Sequence, residues 1–154
     1  MISKIGKKAV AVTGHRIVKD LDKKNLKNIF RELIEKEYNV FHVGMALGFD
    51  IICFKTLLEL KAQYNIKIIA CIPCENQDSL WSEKQKKEYR NLLNFADEKV
   101  ILSKEYTSSC MQKRNEYMVD NSMVIVAYLK RNSGGTYNTV KYAVEKQKEI
   151  IYVN

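Results

Sequence analysis

Short apolar runs alternate along this chain with longer stretches whose apolar residues recur at helical spacing. That alternation constrains the fold more than any other feature. Residues 8–13, 39–43, 66–72, 99–102, 123–129 and 149–153 read as strands. Most carry Val and Ile without polar interruption, as strands buried on both faces do. Residues 21–38 read as a helix with Leu26, Ile29, Phe30, Leu33 and Ile34 on one face. Further helices are expected at residues 48–64, 81–96, 111–121 and 136–147. The third of these five, at 81–96, is expected to bury Tyr89, Leu92, Leu93 and Phe95. Pro73, which cannot donate to a ladder, stops the third strand. Strands and helices in strict alternation predict an α/β fold: a doubly wound, mostly parallel sheet with helices on both faces. There is no repeat, linker or low-complexity tract, so residues 1–154 are expected to form a single domain.

Composition narrows the function classes. The longest apolar runs are broken by charge well short of the ~18 residues a membrane span needs, and the first residues show no leader pattern. No membrane association is expected. Cys53, Cys71, Cys74 and Cys110 sit in or beside regular elements of a chain that needs no staples, which points to a reducing, cytoplasmic setting. Cys71 and Cys74 form one C-x-x-C with no second pair to complete a zinc site, and Cys71 lies within a strand. No metal and no cofactor are expected. The net charge of +8 suits phosphate-bearing partners without choosing among them.

Right-handed crossovers place every strand-to-helix turn on one edge of such a sheet, where ligands bind. Those turns are therefore the candidate site. The last long helix is preceded by Ser133, Gly134, Gly135 and Thr136. Adjacent glycines allow close approach, and a helix start offers free N–H groups and the positive end of its dipole to an anion. A plain turn is the competing reading. The first strand leads into Thr13, Gly14, His15 and Arg16, a glycine turn rich in hydrogen-bonding groups. The second leads into Gly44, Met45 and Ala46, then Gly48 and Asp50. Asp50 suits a sugar hydroxyl, or simply a helix N-terminus. Arg114 and Asn115, in the short helix before the fifth strand, have the chemistry for a phosphate and a base or sugar. Trp81, the only tryptophan, reads more simply as packed than as a base-stacking platform.

Taken together, VTGHR, GMALGFD, IPCENQDSLW, MQKRNEYMVD and SGGTYNTVKYA resemble the SLOG superfamily, which joins DprA/Smf with the LOG enzymes. The likeness is to its small, YpsA-related bacterial branch and runs from about residue 9 to 143. The resemblance implies a Rossmann-like sheet binding a nucleotide or nucleotide-derived ligand at the strand ends, with GMALG and SGGT lining the phosphate and sugar pocket. The LOG enzymes carry P-G-G-x-G-T-x-x-E, whose Glu assists N-glycosidic cleavage. Here Ser133 replaces the proline, Tyr137 the third glycine and Lys141 the glutamate. Asp50 and Glu75 are the candidate substitutes for that carboxylate, with Arg114 a further catalytic candidate.

Three readings follow. The first is a nucleotide-ligand sensor or regulatory protein. The second is a nucleoside-monophosphate N-glycosidase. The third is a DprA-like binder of single-stranded nucleic acid, which is disfavoured because no basic stripe interleaves with aromatics; residues 84–90 read as a wet helix face. Homodimer formation is left open.

Overall fold

The computed structural model describes residues 8–154. The expectation that residues 1–7 belong to the same domain falls outside them. The elements are β1 (Ala9–Gly14), α1 (Lys23–Glu35), β2 (Val40–Val43), α2 (Phe49–Lys61), β3 (Lys67–Ile72) and α3 (Glu83–Leu93). They continue as β4 (Glu98–Ile101), α4 (Cys110–Asp120), β5 (Val124–Tyr128), α5 (Gly135–Glu145) and β6 (Glu149–Tyr152). The strands form one sheet in the order β4-β3-β2-β1-β5-β6, and every pairing is parallel.

Alternate residues of each strand serve different cores. Val10 and Val12 of β1, Phe41 and Val43 of β2, and Ile68 of β3 pack with Leu26 and Phe30 of α1, Phe54 and Leu57 of α2, and Tyr89 and Leu92 of α3. Their neighbours in the pleat, Ala11 and Ile69, meet Met118 and Val119 of α4 and Ala143 of α5. Three helices therefore cover one face and two the other. This follows from right-handed crossovers on a chain that steps outward to β4 and then returns past β1 to β5. Each fully buried Phe or Leu of the larger core contributes about 1.5–3 kcal/mol.

Local signals fix the helix starts. Asp22 caps α1 by accepting from the Asn25 N–H. Ser82 and Gln85 form a reciprocal capping box on α3. That box starts α3 at Glu83 and leaves Trp81, expected inside the helix, before it. There Trp81 packs edge-on against Tyr89. Phe95 was expected to be buried, but α3 ends at Leu93 and Phe95 is 55% exposed. No helix among the described residues is long and apolar enough to cross a membrane.

Candidate functional site

The strand order reverses between β1 and β5, and there the chain leaves a crevice at the carboxyl ends of the strands. A cleft of about 210 Å³ occupies it, walled by the loops after β1, β2 and β5 and by the first turns of α4 and α5. Thr13, Gly14, His15, Arg16, Ala46, Asp50, Arg114, Asn115, Gly135 and Thr136 all line it. Segments far apart in the chain thus share one rim, on the same side of the sheet.

The loop after β1 is pinned to the start of α2: the Phe49 N–H donates to the His15 carbonyl at 3.1 Å. Gly14 permits this, since a Cβ there would stand 2.4 Å from the Phe49 ring. On the opposite wall α5 begins without a side-chain cap, after Gly134 at φ 96°. Its first backbone bond is from Asn138 to the Gly134 carbonyl, so the N–H groups of Gly135, Thr136 and Tyr137 have no acceptor among the described residues.

Arg114 is only 5% exposed. One of its terminal nitrogens, Nη1, donates to the carbonyls of Gly44 (2.6 Å) and Cys71 (3.4 Å), at the ends of β2 and β3. Nε donates to Asn115 Oδ1 at 2.8 Å, which leaves Nη2 against the Met111 sulfur at 3.8 Å. This arginine ties α4 to the sheet and lines the cleft. Asp50, at the start of α2, is 6% exposed, and its Oδ2 accepts from the Ala46 N–H at 3.2 Å. Burial pushes its carboxyl up to about 6; Arg114 and that N–H oppose the shift. His15 is buried, and burial together with the Arg131 charge holds its pKa down.

Other expected site residues stand elsewhere. Gly44 is a support: a Cβ there would come within 2.9 Å of both Arg114 and Asp50. Met45 is fully buried at φ 60°, its carbonyl taken by Gln77. Gly48 faces a separate groove with Ile17, Leu80 and Trp81. Gly134 is the cap itself, and Ser133 lies in a depression formed by residues 129–133. Glu75 is exposed on a different concavity with Asp78, Tyr89 and Arg90, so it does not join the cleft. Of the two candidate carboxylates, Asp50 alone reaches it. Lys141 is exposed on α5 and is not among the cleft-lining residues. Sequence reasoning missed Arg131, which lines the cleft and lies only two residues before the Ser-Gly-Gly turn. All four cysteines are free and buried, and no cluster of metal-ligating side chains occurs among the described residues.

A family model described as the YspA SLOG family matches residues 12–153. The chain belongs to that family. Within reach of this YspA SLOG protein is the SPbeta prophage-derived protein YoqJ of Bacillus subtilis, 37% identical over 135 residues that cover 79% of each chain. Among solved structures, DNA processing protein A (DprA) of Streptococcus pneumoniae superposes with a TM-score of 0.71 at 17% identity. That match covers 99% of this chain but 52% of the pneumococcal one. DprA of Helicobacter pylori, described in its single-stranded DNA binding mode, gives 0.68 at 23% identity over 94% of this chain and 64% of its own. At such identities the likeness concerns the fold. The Rossmann-like α/β architecture expected from the sequence is thus found both in the molecule and in its neighbours.

Proposed function

We propose that this SLOG protein binds a nucleotide or nucleotide-derived anion in the cleft between β1 and β5, in a sensor or regulatory role inside the cytoplasm. One observation carries the reading: the uncapped start of α5 contributes Gly135 and Thr136 to a cleft that Thr13, Arg114 and Arg131 also line. Donors outnumber acceptors there, and an anion supplies what they lack. In this reading Asp50, which lines the cleft, accepts from a sugar hydroxyl of the ligand.

Gly135 offers a clean test, because a Cβ at that position meets nothing within 4 Å. Gly135→Asp places bulk and negative charge at the phosphate seat without straining the fold. Isothermal titration with a panel of nucleoside monophosphates is expected to show binding by the wild type and none by the variant. Equal affinities would remove the phosphate seat from α5. Assaying the same mixtures for free base tests the hydrolase alternative, in which Asp50 is the one candidate carboxylate with access to the ligand. Base release that disappears in Asp50→Asn would replace the sensor reading with the enzymatic one. The DprA neighbours motivate a nucleic-acid alternative, which predicts salt-sensitive retention of single strands.

A further inference from the structure

The ring of His15 faces N–H donors at both of its nitrogens. The backbone N–H of Lys130 donates to Nε2 at 2.8 Å. Nε2 therefore holds a lone pair, and the neutral ring carries its proton on Nδ1. Yet the neighbour of Nδ1 is Nη2 of Arg131, 3.3 Å away, and a guanidinium accepts nothing. Two donors thus converge with no side-chain or backbone acceptor between them among the described residues, and one belongs to a side chain only 6% exposed. Such a pair costs free energy unless a third group answers both. Protonating the ring does not help, because an Nε2 proton would meet the Lys130 N–H; burial and the Arg131 charge also resist it.

We propose that the Nδ1–H of His15 and the guanidinium of Arg131 form a second anion seat, beside the one at the start of α5, and that the ligand carries two linked phosphates. The inference rests on the reading of the cleft as a phosphate site and names the class of ligand it takes. His15 and Arg131 are shared between the cleft and a neighbouring depression of about 550 Å³ that also holds Tyr128, Ile17 and Lys19. A phosphate at this junction is the next group along from one under α5. The body of a nucleoside diphosphate, or of a diphosphate ester, then continues toward Tyr128. A monophosphate satisfies only one seat at a time.

Inorganic phosphate and inorganic pyrophosphate are the probes. Calorimetry on the wild type is expected to show pyrophosphate binding tighter by at least about tenfold, since the second seat adds charge-assisted hydrogen bonds. In Arg131→Gln, which weakens binding of both anions, the preference for pyrophosphate over phosphate is expected to collapse. Proton–nitrogen correlation spectra of the His15 ring add a readout independent of affinity. A bare Nε2 and a protonated Nδ1 are expected, with the Nδ1 resonance moving on addition of pyrophosphate in the wild type. A wild type that binds both anions equally, a preference surviving in Arg131→Gln, or a proton on Nε2 would each overturn the second seat and leave the first standing. Binding of neither anion would overturn both seats.

Discussion

Arg114 and Asp50 show how two side chains can be held at one site by different forces. Arg114 is anchored by carbonyls at the ends of β2 and β3. Removing it leaves buried carbonyl groups without their donor. Arg114→Leu is accordingly expected to lower unfolding free energy in urea by about 2–4 kcal/mol. A loss below a few tenths would mean those bonds carry no weight. Asp50 is the opposite case. Burial raises its pKa from 3.8 to about 6, so the folded protein holds that proton more tightly than the unfolded chain does. The resulting stabilisation is complete below about pH 4 and is lost as pH rises through about 6. At neutral pH the ionised group costs the fold about 2–3 kcal/mol. Asp50→Asn keeps the acceptor for the Ala46 N–H and should raise the denaturation midpoint at about pH 7.5, with no effect at about pH 4. A variant whose advantage is the same at both pH values would exclude this account.

Among the elements, α2 and α5 both start after a glycine in the left-handed region, for unequal reasons. Gly48 has φ 90°, and a Cβ there would lie 2.1 Å from the Arg16 carbonyl oxygen. Gly48→Ala must break the junction between the loop after β1 and the start of α2. A loss of at least about 2 kcal/mol is expected by chemical denaturation. Gly135→Ala, made as its companion, should be close to neutral; an equal loss would show that space at the backbone is not the deciding factor. The glycines at these turns were legible in the sequence, but their roles were not. Gly44 reads as a pocket-lining glycine until Arg114 and Asp50 are seen on either side of it. Phe95 carries the apolar pattern of α3 past its end, because periodicity does not register where a helix stops. Arg131 carries no local signal, since its place in the cleft comes from the fold of the loop after β5. The element sequence itself was readable throughout, as the central strands are largely apolar runs and even the edge strand β4, with Glu98 and Lys99, keeps Val100 and Ile101 between two helical patterns.

At the scale of the whole molecule, the sheet has a centre and two edges. β1 and β5 are buried along almost their full length, whereas β4 and β6 carry exposed or half-buried residues throughout. Native-state hydrogen exchange is expected to find the β1 and β5 amides opening only with global unfolding, and those of β4 and β6 at lower cost. Uniform protection across the sheet would contradict that ordering. The position of β5 has a further consequence for a chain made from one end. β1 pairs with β2 on one side, but its other neighbour is not synthesised until residues 124–128. Until those residues emerge the innermost strand therefore keeps a bare flank, open to other strands or to a chaperone, and the cleft lacks its far wall until Gly135 and Thr136 follow.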